Sequence, residues 1–166
     1  MIDNYLNKLE DRFSAYFDTK RNFTFNGINY DMLATYFERN EHYIAVKKAV
    51  VWDYETYQHI LVKHIESVDL DTIKKFTKSL EDFVKEQVIP TDSHMSTLVR
   101  GLIITEGEIP QDVINYIRKY KFYKSFSFGF KGWVNIALNL LDINNIENGY
   151  YNKRGKEDSK NFIISL

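Results

Sequence analysis

The chain has no cysteine, only two prolines and seven glycines, and no unbroken apolar stretch of the roughly 18 residues that a spanning helix needs. The first absence excludes a disulfide frame, a thiol nucleophile and a thiolate metal site together. Scarce proline and glycine leave little material for a long linker. A single globular domain over 1–166 is therefore expected, and a chain of this size buries roughly two-thirds of its unfolded surface without metals or cross-links. The opening MIDNYLNKLEDRF carries acids where a signal peptide needs a basic region and a continuous apolar core. A cytoplasmic location is the simplest expectation, with no membrane partner. Phosphate loops, the dinucleotide glycine fingerprint and a Gly-x-Ser-x-Gly elbow are also missing, so no cofactor is expected.

What the chain does have is 44% hydrophobic and 27% charged residues, and a charge of -1 that is unevenly distributed. Residues 1–117 hold 13 Lys/Arg against 19 Asp/Glu, and residues 118–166 hold 9 against 4. A basic, aromatic C-terminal part can meet an anionic partner, nucleic acid included, although a solvated charged surface accounts for it as well.

Ile2, Tyr5, Leu6, Leu9, Phe13, Tyr16 and Phe17 recur at intervals of three and four, which predicts an amphipathic helix over about 2–20. In FTFNGINY, Asn26-Gly27 supplies a type I′ turn that sets Phe25 against Ile28, Phe23 against Tyr30 and Thr24 against Asn29. DMLATYFERN suits a strand or a short helix, and strand is favoured because it continues a hairpin arm. HYIAVKKAVVW and YQHILVKHI read as two further strands joined through DYET, completing an antiparallel meander. Helical spacing returns in VDLDTIKKFTKSLEDFVKEQ, with Asp69 as cap and Val68 stapled to Ile73. STLVRGLIIT is a buried strand, and EGEIPQDVINYIRKY a short helix with Pro110 near its start.

In KFYKSFSFGFKGWVNIALNLLDI every even position from 126 to 140 except Gly132 is Phe, Val, Ile or Leu. A two-residue turn at Lys131-Gly132 would mix apolar and polar residues on both faces. A three-residue loop, Phe130-Lys131-Gly132, sets Phe128 opposite Val134 and Phe126 opposite Ile136, with Gly132 in the left-handed third position. The hairpin is thus expected to have an odd loop and one dry face, with Ser127, Tyr123, Asn135 and Asn139 meeting solvent on the other. The tail offers turns at Asn148-Gly149 and Arg154-Gly155 around a short strand.

No metal site is expected. His59 and His64 point to opposite faces of one strand, and the pairs Asp53/Glu55 and Glu106/Glu108 have ordinary local reasons at a turn and before a helix. The element order invites comparison with restriction-endonuclease-like nucleases, but no Glu is followed two residues later by Lys, so a relative would have lost the metal motif. FSFGFKGWV does not follow the residue order of an RNA-recognition strand.

RNEHYIAVKKAVVW, HMSTLVRGLIIT, YKFYKSFSFGFKGW and YYNKRGKE together resemble a small prokaryotic family of uncharacterised proteins over nearly the whole chain. The resemblance implies an independently folding domain and no transferable activity or site. The expected fold is α+β: a mostly antiparallel twisted sheet with two longer helices and one shorter helix packed mainly on one face. The expected role is a binding or interaction domain that contacts a protein or anionic partner through Lys121, Lys124, Lys131, Trp133, Lys153, Arg154 and Lys156. The alternative is a small-ligand binder or enzyme with an aromatic-lined pocket carrying Asp53, Glu55, His59 and Arg100. Self-association into a homodimer through sheet edges or aromatic patches is a third expectation.

Overall fold

A computed structural model of the chain describes residues 1–43 and 50–164. The N-terminal stripe forms α1, Ile2–Phe13, and buries Tyr5, Leu6 and Leu9. The helix is shorter than its apolar spacing predicts. Backbone bonds from Tyr16 and Phe17 to the Phe13 carbonyl close a last turn, and β1, Asp18–Phe25, then pairs with β2, Ile28–Tyr43. Here the ladder to a partner strand outweighs local periodicity, as tertiary context commonly does.

The Asn26-Gly27 turn has φ values of 47° and 77°, and all three predicted cross-strand pairs form. Farther along the hairpin the alternation changes face. Arg21 reaches Asn7 and Glu10 on α1, whereas Phe23, of the same parity, packs beside Tyr30 on the opposite side of the sheet. Asn22 lies between them with φ 53°, and this left-handed residue is the local cause of the change.

DMLATYFERN lies entirely within β2 as a strand. The centre of the strand predicted over 42–52 lies outside the described residues. DYET, predicted as a turn, instead runs inside β3, Val50–His64, whose register against β2 pairs Arg39 with Glu55 and Glu41 with Asp53.

Asp69 caps α2, Leu70–Gln87, by accepting a hydrogen bond from the Thr72 amide, and Val68 and Ile73 are buried in one cluster. The helix carries the chain across the sheet, so β4, His94–Thr105, returns parallel to β3. A second crossing through α3, Gln111–Lys119, precedes β5, Tyr123–Ser125, and β6, Trp133–Asp142. β6 is parallel to β4, while β5 and β7, Tyr150–Tyr151, pair antiparallel with β6. The sheet is therefore mixed, in the order β1-β2-β3-β4-β6-β5 with β7 also on β6. Helical crossovers of this length are what parallel neighbours require.

Four of the sheet's six pairings are antiparallel, the fold is α+β, and the helices divide two to one between the faces. α2 and α3 cover one side, over Leu61, Val99, Ile103, Val134, Ile136, Leu138 and Leu140. α1 and the C-terminal residues Phe162 and Ile164 cover the other, over Met32, Ala34, Ile60, Val62, Leu102, Ile104 and Leu141. Strands covered on both faces read as continuous apolar runs, which is why Leu102, Ile103 and Ile104 are all fully buried.

The hairpin of 121–143 departs from its predicted register. Tyr123 opposes Asn135, Lys124 opposes Val134 and Ser125 opposes Trp133, leaving an odd but longer loop over 126–132. Val134, Ile136, Leu138 and Leu140 do form a dry face, but Ala137 and Asn139 on the reverse are buried too, under the C-terminal segment. Among the described residues no helix is long and apolar enough to cross a membrane.

Candidate functional site

The basic C-terminal part gathers into a cleft at the end of α3. Arg118 and Lys119 come from the last helical turn, Lys121 and Phe122 from the link to β5, and Lys153 and Arg154 from the turn after β7. Asn135, Ile136 and Asn152 line the same cleft, of about 280 Å³. The two basic segments are held together by Asn152, which is 2% exposed. Its Oδ1 accepts from the amides of Leu138 (3.0 Å) and Gly155 (2.7 Å), and its Nδ2 donates to the carbonyls of Tyr120 (3.2 Å) and Ile136 (3.1 Å). That satisfies every hydrogen-bonding position of the amide.

The cations of the cleft are not equally committed. Arg154 donates to Glu157 at 2.6 Å, and the Arg118 guanidinium lies 5.7 Å from the centre of the Tyr150 ring. Lys119, Lys121 and Lys153 are exposed and have no ion pair among the described residues. Behind the cleft, burial and then the Glu81 carboxylate raise the Tyr120 phenol far above its ordinary range, so it stays a donor to Glu81 at 3.1 Å.

A second concavity, of about 390 Å³, opens between β3, the segment after α2 and β4, lined by Tyr57, His59, Val88, Ile89, Thr91, His94 and Thr97. His94 is 3% exposed. Its Nδ1 lies 2.6 Å from the Lys131 carbonyl, which only accepts, so Nδ1 donates; in the neutral ring Nε2, 2.8 Å from Thr97 Oγ1, then accepts from that hydroxyl. The spacing matches a hydroxyl activated by a base, but both groups are buried and the imidazole is committed to holding the 126–132 loop onto β4. Tyr57 donates to Glu55 at 3.1 Å, and Ser93 and then Arg39 hold the Asp53 carboxyl below its ordinary range.

Burial drives the His59 imidazole down from 6.5 to about 4, and its Nδ1 is buried without a partner. Unfolded His59 takes up a proton as pH falls through 6.5, while the folded ring resists until about 4. Its contribution is thus present above pH 6.5 and is lost as pH falls toward 4, a change of about 2–3 kcal/mol. Urea unfolding at pH 7 and 4.5 tests this: a His59→Leu variant should lose that much less stability between the two pH values than the parent. Equal losses in both proteins would refute it.

The predicted residues divide between these places. Lys121, Lys153 and Arg154 share the cleft, and Lys156 is exposed just beyond its lining. Lys131, Trp133 and Lys124 belong to the loop end: Lys131 pairs with Asp92 at 3.2 Å, Lys124 sits over Phe126 at 5.3 Å, and Trp133 lines a shallow hollow with Asp53, Asp92, Met95 and Phe130. Asp53, Glu55 and His59 share one parity on β3, but His59 lines the second concavity and Asp53 the shallow hollow beside Trp133, and Glu55 lines neither. Arg100 is apart from all three; it projects to the opposite face and donates to Asp158 (3.0 Å) and Gln58 (2.7 Å). Arg118 and Lys119 were missed because cations in a last helical turn are explained by the helix dipole alone. No local signal marks His94 or Thr97, whose partners are brought by distant parts of the chain.

The loop itself is rigidly built. Phe126 N bonds the Gly132 carbonyl, Gly129 N and Lys131 N bond the Phe126 carbonyl, and Gly132 N bonds the Gly129 carbonyl. Ser127 and Phe128 are both left-handed, with φ 48° and 56°, at a cost of about 1–2 kcal/mol each. This backbone turns Phe128 (101% exposed) and Phe130 (87%) into solvent.

The model of a family described as a domain of unknown function (DUF8052) matches residues 2–164, so the chain belongs to that family. No curated protein and no solved structure matches the chain.

Proposed function

We propose that this member of a family defined without an activity is a binding domain whose basic cleft receives a phosphoryl group, carried by a nucleic acid or by a small phosphorylated molecule. One observation carries the reading: Lys119, Lys121 and Lys153, drawn from two distant segments, face a single cleft whose acidic lining residue, Glu157, is paired with Arg154 and with none of the three. Gathered like charges repel one another, and an anion removes that repulsion. Phe122 within the cleft and the exposed Tyr123 beside it supply ring faces for a base or sugar.

Fluorescence anisotropy with labelled single-stranded and duplex DNA and RNA, at low and near-physiological salt, tests the proposal, with inorganic phosphate as competitor. Binding should weaken with salt. A triple variant Lys119→Gln, Lys121→Gln, Lys153→Gln should lower the slope of log K against log salt by about 2–3, near 0.7–0.9 for each lost phosphate contact. Displacement of the probe by millimolar phosphate would favour a compact phosphorylated ligand, and persistence of binding would favour the polymer. No binding at low salt to any probe, together with no effect of phosphate on thermal stability, would overturn the reading.

A further inference from the structure

In the concavity beside His94, one enclosed polar side chain has nothing to bond. Tyr57 donates to Glu55, and the Thr91 hydroxyl lies 3.5 Å from the same carboxylate. Thr97 is bonded to one nitrogen of His94, and the Lys131 carbonyl takes the other. His59 makes no hydrogen bond among the described residues. Its ring meets that of Phe83 edge to face, with centroids 5.2 Å apart, so α2 closes that side. Nδ1 is the buried nitrogen, which leaves Nε2 as the one that opens into the concavity.

Burial also decides which nitrogen carries the hydrogen. The ring is neutral at pH 7, because burial holds its pKa at about 4, so one hydrogen is shared out between two nitrogens. A buried donor without an acceptor is rarer than a buried lone pair without a donor. The hydrogen therefore rests on Nε2, and the concavity is offered a donor. The remaining lining sets the class of molecule that can use it. The Tyr57 and His94 rings lie 6.2 Å apart with their planes 24° from parallel, and Val88 and Ile89 add apolar surface. No acid, lysine or arginine lines the space among the described residues, so a charged ligand would lose hydration there without gaining a counter-ion. Its volume of about 390 Å³ is at the small end of the range for ligand sites, about 300–1,000 Å³, and suits a single substituted ring.

We infer that this concavity binds a small uncharged ring molecule bearing a carbonyl or ring-nitrogen acceptor, which takes a hydrogen bond from His59 Nε2. The ring of the ligand lies against Tyr57 and His94, both held in place by their own hydrogen bonds, so little side-chain freedom is lost on binding. The site is separate from the basic cleft, with which it shares no lining residue.

Titration of the full chain with benzamide at pH 7, followed through the ring nitrogen and proton resonances of its histidines, tests the inference. In the free protein His59 should read as the tautomer protonated on Nε2. That signal should shift as benzamide binds, with a Kd of about 1 mM, which is ordinary for so small a molecule. Benzoate and benzylamine, charged molecules of the same shape, should each bind at least tenfold more weakly. His59→Phe, which keeps a ring and loses the donor, should weaken benzamide at least tenfold. The tautomer and the shift are read on the parent, so the test does not depend on the variant folding. A free His59 protonated on Nδ1 overturns the inference, as does benzamide at about 10 mM that moves no resonance of His59. So does benzoate or benzylamine binding as tightly as benzamide, or a folded His59→Phe that binds benzamide at parental strength.

Discussion

Replacing Asn152 with alanine is expected to lower the stability of the protein by about 3–4 kcal/mol, or roughly 10 °C in melting temperature for a chain of this length. The side chain is 2% exposed and makes four hydrogen bonds to the main chain. Alanine removes all four and leaves the Leu138 and Gly155 amides and the Tyr120 and Ile136 carbonyls facing a small void. Each intact bond is worth about 1 kcal/mol net, but a buried group stripped of its partner loses its full desolvation cost, and that asymmetry sets the magnitude.

An aspartate at the same position separates hydrogen bonding from volume. Its carboxylate still accepts from Leu138 and Gly155, but it has no hydrogen for Tyr120 and Ile136, and an ion would be buried against two carbonyl oxygens. Asn152→Asp is therefore expected to be as damaging at pH 7 as alanine, and to recover in part on acidification, when one oxygen gains a proton. Thermal melts of both variants at pH 7 and 5 read this directly. A melting point within about 1 °C of the parent for either variant at pH 7 would show that the amide does not anchor the segment. Because Asn152 also lines the basic cleft, loss of its bonds should loosen Lys153 and Arg154 and weaken phosphate binding at temperatures where the fold persists.

How much of this was legible follows from how local each cause is. The Asn26-Gly27 hairpin, the Asp69 cap and the Val68–Ile73 staple are decided within a few residues, and each formed as its residues dictate. α1 was overestimated because Tyr16 and Phe17 continue its stripe, while the reason the helix stops is a ladder to residues near Thr35. The parallel pairing of β4 with β3 and β6 depends on where two helices cross the sheet, which an apolar run such as LIIT does not reveal. Asn139 was read as solvent-facing from strand parity, yet it is 1% exposed because Gly155 and the C-terminal turns fold over it. The basic residues were visible as a charge excess, but a count cannot separate the cleft cations from Lys131, which Asp92 holds at the loop end.

Replacing Gly132 with alanine is expected to be as severe as any single change in the chain, and for a reason that joins the loop to the sheet. Gly132 has φ 74°, and a Cβ there would lie 2.0 Å from the Met95 carbonyl oxygen and 2.7 Å from that of His94. Both obstacles are main-chain atoms of a paired strand, so they cannot rotate aside as a side chain would. To accept alanine, the loop must lift away from the start of β4, which withdraws the Lys131 carbonyl from His94 Nδ1. The buried imidazole would then have an unpaired donor, adding about 1–3 kcal/mol to the left-handed penalty of about 1 kcal/mol. A fall of about 10 °C in melting temperature is expected. Amide exchange should locate it, with protection lost over 126–132 and at the start of β4 while α1 and α2 keep theirs. Unchanged protection together with an unchanged melting point would show that the close approach of Gly132 to Met95 does not hold in solution.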